Sequence, residues 1–318
     1  MLMIILSALA AIIPMTFYLY LIWKMDRFDR EPLNLVLLNF LWGAFGAVIL
    51  ALIASILLSS FIQFFIRDEF GIDLIGAVFI APFVEEITKG IFLLITISNR
   101  KFDNLTDGIV YGGAIGLGFG MTENFLYFLS NTENVSDWIS IVIVRSLFSG
   151  VMHLLSTATL GAFLGLSKFW DKSFRLLIGL FGLGIAMIIH ALWNFFVSFQ
   201  YTMFLGFIFM IFSIVIFILI FRLSIISEGK MILKELAEEV ERGLIPFNHL
   251  KFLSSIRRDE SGWIDEAIRK PYIKNATTLA FRKRQMKNSK GYSKVFYQSE
   301  IDFYRNQIAF LLNQSRFQ

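Results

Sequence analysis

The chain has 318 residues, of which 56% are hydrophobic and 17% charged, and its mean hydropathy is +0.67. That composition excludes an ordinary water-soluble domain built on one core. The absence of Cys also excludes thiolate-held zinc, iron–sulfur clusters and cysteine nucleophiles, while 36 Phe against 5 Pro suit long uninterrupted helices.

A bilayer core about 30 Å thick needs about 20 apolar residues in a helix. Seven such runs follow one another, at about residues 2–23, 34–60, 72–98, 108–130, 138–166, 175–199 and 202–224. They predict an all-α polytopic membrane protein: a transmembrane bundle over residues 1–226, then a small, mostly helical C-terminal region over 227–318. The first run contains Ala8-Leu9-Ala10, which imitates a signal-cleavage site. No basic segment precedes it and apolar sequence continues to Trp23, so it is read as a retained helix. Lys24, Arg27 and Arg30 follow run one, Arg100 and Lys101 follow run three, and Lys168, Lys172 and Arg175 join runs five and six. The intervening loops hold only Arg67. Cytoplasmic loops retain positive charge, so the N-terminus is expected outside and the C-terminal region in the cytoplasm.

Residues 1–226 carry 12 basic and 14 acidic side chains, and residues 227–318 carry 17 and 11. The overall charge of +4 therefore arises in the C-terminal region. There, Leu233, Leu236, Ala237 and Val240 form one helical stripe before Gly243 and Pro246, and Ile301, Tyr304, Ile308, Leu311 and Leu312 form a second. Arg282, Lys283, Arg284, Lys287, Lys290 and Lys294 form a basic cluster with no acid among them. In a segment tethered to a membrane, such a cluster reads as a solvated face or a contact with anionic lipid headgroups, not as a nucleic-acid site.

An ionisable side chain at the centre of a span costs about 2.5 to 3.5 kcal/mol on insertion scales. Seven occur here: Glu85, Glu86 and Lys89 in run three, Glu123 in run four, Arg145 and His153 in run five, and His190 in run six. Their restriction to four consecutive runs predicts one shared interior site. Spacing of four places Glu85 with Lys89, Glu123 with Tyr127, and His190 with Asn194; Arg145, Ser149, His153 and Thr157 form a polar ladder. Gly108, Gly112, Gly116 and Gly120 make a small-residue groove that lets a neighbouring helix approach closely. Lys89 and Arg145 suit structural ion pairing. Three carboxylates against these two cations leave one negative charge, which a retained proton or a bound cation would balance.

Two His and two or three Glu suffice to bind Zn²⁺ or to activate water as a general base, and either route hydrolyses an amide. Intramembrane Glu, His and Lys also build the relays of proton-coupled or metal-ion transporters, and a noncatalytic receptor or scaffold is a third class. The chain contains no H-E-x-x-H, Gly-x-Gly-Asp or Gly-x-Ser-Gly motif. It does contain Glu85-Glu86-x-x-Lys89, then Glu123-Asn124-x-x-Tyr127 within GFGMTENFLYF, then Arg145 with His153, then His190-x-x-x-Asn194 within HALWN. In this order the motifs resemble the PrsW family of intramembrane proteases over about residues 15–200. That family is related to the CAAX prenyl endopeptidases and Abi proteins. The chain departs from the CAAX pattern, with Lys89 where an Arg would fall at Gly90 and Ser149 where a Phe would precede His153.

The resemblance implies an intramembrane peptidase, metal-dependent or glutamate-type, in a bacterial cytoplasmic membrane. It would cut a single-span membrane protein such as a transmembrane anti-sigma factor. Position by position, Glu85 or Glu86 would activate water, His153 and His190 would assist or bind metal, and Asn194 would help hold the oxyanion. Glu123 is a further ligand or base, so the candidate zinc set is Glu86, Glu123, His153 and His190, supported by Lys89, Asn124, Tyr127 and Arg145.

Overall fold

A computed structural model describes residues 1–66 and 68–314; Arg67, the loop cation noted above, lies outside the described residues. Among them regular structure is entirely helical. The chain divides into two compact units, Met1–Met25 with Glu31–Phe221 and Asp26–Arg30 with Arg222–Gln318.

The first unit is built from α1 (Leu2–Met25), α2 (Leu33–Ile62), α3 (residues 69–96), α4 (Leu105–Ser130), α5 (Val135–Ser167), α6 (Lys172–Val197) and the first part of α7 (Met203–Glu241). Five of these, α1, α2, α5, α6 and α7, are long and apolar enough to cross a membrane. The other two expected crossings coincide with α3 and α4. Their different composition has a local origin: α3 carries Glu85, Glu86 and Lys89, and α4 carries six glycines besides Asp107 and Glu123.

Helix α4 is the centre of this unit. It packs against α1, α2 and α5, and every residue from Thr106 to Gly120 is buried. A helix enclosed on all sides can approach its neighbours closely only where side chains are absent. A Cβ on Gly108, Gly112 or Gly116 would fall 2.0, 2.4 and 2.0 Å from the carbonyl oxygens of Gly161, Thr157 and His153 on α5. The glycine groove is therefore the seat of the α5 backbone. The start of α4 is fixed by a capping box between Asn104 and Asp107. The loop before it is pinned by Lys168, whose ammonium donates to the carbonyls of Ile97 and Asn99 at 2.8 and 2.6 Å and to that of Phe102.

Three helices contain a π turn: Trp42–Ala47 in α2, Gly76–Ile80 in α3 and Arg145–Ser149 in α5. Such turns insert a residue and rotate the following side chains, and they recur at functional sites. The last one interrupts the expected Arg145, Ser149, His153, Thr157 ladder, because its members no longer follow a uniform α-helical register.

In the second unit, α8 (Phe247–Leu253), a 3₁₀ turn (Ile256–Asp259), α9 (Glu266–Lys287) and α10 (Tyr292–Gln314) join the end of α7. Leu236, Leu253, Tyr272, Leu279, Phe281 and Ile301 are among its core residues. Residues 26–30 belong here because Arg258 donates to the carbonyls of Arg27 and, at 3.0 Å, Phe28. The expected solvated basic cluster requires correction. Arg282 meets Glu300 at 2.8 Å, Lys283 meets Glu238 and Glu239 at 2.9 and 2.5 Å, and Lys287 meets Glu235 at 2.6 Å. Their acids lie on α7 and α10, so Arg282 and Lys283 are buried ion-pair partners, while Lys287 pairs at the surface.

Candidate active site

Four helices of the first unit each contribute to one buried polar cluster. On α3, Lys89 lies one turn beyond two adjacent glutamates, so its ammonium reaches both: 2.8 Å to Glu86 Oε1 and 3.4 Å to Glu85 Oε2. The Lys89 side chain is fully buried, and the Phe119 ring centroid lies 4.1 Å from Nζ. The Trp42 indole, in the π turn of α2, donates to the Thr88 carbonyl at 3.2 Å and holds this stretch of α3 in place.

The α5 helix, seated on the α4 glycines, presents His153, Ser156 and Thr157. Ser156 donates to Glu86 Oε1 at 3.0 Å and Thr157 to Glu86 Oε2 at 3.2 Å. His190 on α6 places Nδ1 2.9 Å from the same Glu86 Oε1. Glu86 thus accepts from lysine, serine, threonine and histidine, the degree of satisfaction that a fully buried carboxylate requires. On α4, Glu123 Oε2 is 2.5 Å from His153 Nε2 and 2.9 Å from the Arg145 guanidinium. Arg145 in turn donates to Asn124 Oδ1 at 3.0 Å and stacks 3.6 Å over the Tyr127 ring.

These partners assign the two imidazole tautomers. A carboxylate only accepts and an ammonium only donates. His190 Nδ1 faces Glu86, so it carries the hydrogen and leaves the lone pair on Nε2. His153 Nδ1 lies 2.9 Å from Lys89 Nζ, so it is the acceptor, and its Nε2–H donates to Glu123. Both lone pairs belong to the nitrogens nearest Glu85, whose Oε2 is 4.0 Å from His153 Nδ1 and 3.9 Å from His190 Nε2. The rings stand edge to face with centroids 5.0 Å apart.

Glu85, His153 and His190 offer ligand atoms that all lie within 4.8 Å of one another. The donor set, two imidazoles and one carboxylate, is one that catalytic zinc sites use. Each imidazole is also backed by a carboxylate on its far nitrogen, as metal-binding histidines characteristically are. The residues therefore fit a divalent metal. Lys89 competes for His153 Nδ1, but its bond to Glu86 leaves it partnered if it yields that nitrogen.

The cluster brings together Glu85, Glu86, Lys89, Glu123, Arg145, His153 and His190, with Asn124 and Tyr127 behind Arg145. Of the expected metal set, His153 and His190 face the shared centre, whereas Glu86 and Glu123 stand behind them. Asn194 is elsewhere occupied: its Nδ2 donates at 2.8 Å to the Ala77 carbonyl in the π turn of α3. Ser156, Trp42 and Phe119 were not singled out in the sequence. Ser156 is signalled only by its place three residues after His153 and Phe119 only by its place within GFGMTENFLYF, and nothing local marks Trp42.

The profile of the family described as "PrsW family intramembrane metalloprotease" matches residues 31–221. The chain belongs to the PrsW family. Protease PrsW of Clostridioides difficile (strain 630) is 29% identical over 195 residues, covering 61% of this chain and 79% of the relative. The proteins of the same name from Oceanobacillus iheyensis and Bacillus subtilis (strain 168) are 32% and 28% identical, covering 53% and 54% of this chain and 71% and 72% of theirs. No solved structure matches the chain. As a PrsW family member the chain is an intramembrane peptidase and a membrane protein, and the transporter and scaffold readings are not favoured. The family segment contains every residue of the cluster, and residues 222–318 lie outside it.

Proposed function

We propose that the chain cleaves a single-span membrane protein within the bilayer, with Glu85, His153 and His190 holding Zn²⁺ in a bundle over residues 1–226 that crosses the membrane seven times. Residues 227–318 then form a cytoplasmic helical region. The observation that carries this reading is that the acceptor nitrogens of two imidazoles lie within 4.0 Å of one Glu85 oxygen, each ring anchored from behind by a different glutamate.

When bound, the metal supplies Lewis-acid polarisation in a water-poor site. The protein does the rest. Glu86 holds the Nδ1–H of His190 and so keeps Nε2 available, while Glu123 does the same for His153 through Nε2–H. Arg145 fixes Glu123, and Asn124 and Tyr127 fix Arg145. Lys89 offsets the negative charge gathered on α3. Of the two α3 glutamates, Glu85 suits the ligand role: among the described residues the one hydrogen bond its carboxylate accepts is the long one from Lys89, and its side chain is 12% exposed. Glu86 is fully enclosed by its partners. An anti-sigma factor is a substrate of suitable form, since it presents a single apolar helix.

The test uses purified full-length protein, a fluorescent single-span substrate and elemental analysis. One zinc per chain, loss of cleavage in chelator, and at least a hundredfold loss in Glu85→Gln, His153→Ala and His190→Ala are expected. Zinc lost from Glu85→Gln is the expected result; zinc retained there would remove Glu85 from the ligand set. Full cleavage in all three variants, or undiminished cleavage without metal, would end the proposal.

A further inference from the structure

Away from the polar cluster, α3, α5 and α6 enclose an apolar groove of about 320 Å³. Its walls are Ile87, Gly90 and Leu94 on α3, Leu160 and Leu164 on α5, and Gly179 on α6, with further apolar neighbours. Along α3 and the residue that caps it, the groove runs from Ile87 to Ile97, a length of about 15 Å at 1.5 Å per residue. That is half of a bilayer core of about 30 Å, the depth of one leaflet.

Among the described residues the only charged groups lining the groove are Lys172 and Arg175, both on the first turn of α6 and therefore together at one end. Among the described residues Lys172 makes no hydrogen bond or ion pair, and Arg175 donates only to the Lys168 carbonyl at 3.3 Å. Their position gives the helix nothing, since cations are disfavoured near a helix N-terminus. Leu94, Leu176 and Leu180 are each more than half exposed along the rim, as suits a cleft that opens sideways to lipid.

We propose that this groove is a binding site for one anionic phospholipid, with an acyl chain along the apolar walls and the phosphate between Lys172 and Arg175. The match is in three independent quantities: length, apolarity along the walls, and two uncompensated positive charges at one end. The lining residues Ile87 and Gly90 follow Glu86 and Lys89 directly on α3, so an occupied groove would brace the helix that bears the α3 glutamates.

The experiment measures lipid retention and needs no proteolytic assay. Full-length protein is released from mixed phosphatidylglycerol and phosphatidylcholine bilayers and analysed by native mass spectrometry. Retention of one phosphatidylglycerol in preference to phosphatidylcholine is expected. In the Lys172→Gln, Arg175→Gln double variant the preference falls by about thirtyfold, taking each cation's attraction to anionic lipid at its membrane-surface size. Gly179→Leu, which fills the groove, lowers retention of both lipids. Gly184→Leu, whose Cβ meets nothing within 4 Å, does not. Photoreactive phosphatidylglycerol on the unaltered protein should label residues within 87–97, 160–164 and 172–183, which keeps the test valid if a variant misfolds. Equal retention of the two lipids, an unchanged preference in the double variant, or labelling elsewhere would overturn the proposal. So would photoreactive substrate helix, instead of lipid, labelling the groove.

Discussion

Replacing Gly116 by Ala adds one carbon atom at the point where α4 seats α5. That carbon would sit 2.0 Å from the His153 carbonyl oxygen and 2.6 Å from its carbonyl carbon. Ordinary contact begins near 3.4 Å and the obstacle is backbone, so the helices must separate locally by more than about 1 Å. His153 belongs to one helix and Glu123 to the other, joined across a 2.5 Å hydrogen bond that cannot survive such a separation. Misplacing a catalytic group by 1 Å costs about a hundredfold in rate, and overpacking costs about 1 to 3 kcal/mol in stability. Single-turnover cleavage by Gly116→Ala should therefore fall about a hundredfold, while Gly184→Ala, which adds its carbon to open space, stays near wild type. Circular dichroism and gel filtration establish that both variants are folded. Wild-type cleavage by Gly116→Ala would refute the reasoning that close backbone contact positions His153.

Arg145→Lys keeps the charge but loses the planar fork that serves Glu123 and Asn124 at once. If Glu123 orients a metal-binding histidine, zinc affinity measured by competition with a chromogenic chelator should fall about 10- to 100-fold. In the second unit, burial opposes ionisation of Glu239, but bonds from Arg305 and Lys283 and their charges hold its carboxyl below the ordinary carboxylate range. Its contribution to stability is therefore present above about pH 4.5 and is lost as the pH falls further. Glu239→Gln removes one of Lys283's two carboxylate partners and leaves Glu238, so the destabilisation stays below the about 3 to 5 kcal/mol of a fully unpaired buried charge; hydrogen exchange across α9 reads both effects, and unchanged protection would refute them. Because the chain has no Cys, single substitutions report its topology directly. Thr132→Cys and Tyr201→Cys should react with an impermeant thiol reagent from outside, and Asn99→Cys and Lys290→Cys only from inside; labelling of Asn99→Cys and Tyr201→Cys from one side would exclude the seven-crossing arrangement.

Much of the helical plan was legible because apolar runs of bilayer length leave a strong signal, and Glu, His and Lys inside such runs are conspicuous. The helix Lys172–Val197, for example, follows the run expected from about 175 to 199. What escaped was anything set by register between helices. The π turn at Arg145–Ser149 rotates Arg145 away from a simple four-residue ladder, and four-residue spacing alone cannot reveal it. Glu85 and Glu86 are adjacent and chemically identical, yet one is enclosed by donors from α3, α5 and α6 while the other faces the two imidazoles. Which was which depended on Ser156, Thr157 and His190 arriving from distant parts of the chain. The basic residues of α9 misled for the same reason, since their acids come from α7 and α10.

The capture of residues 26–30 by Arg258 bears on how this protein can be taken apart and recombined. The second unit is not a contiguous appendage that begins at residue 222, because it claims five residues from the opposite end of the chain. A graft of residues 222–318 alone onto another PrsW relative would leave behind Phe28, whose ring belongs to this unit's core and lies beneath the Arg258 guanidinium. A hybrid that keeps this core intact must transplant both pieces.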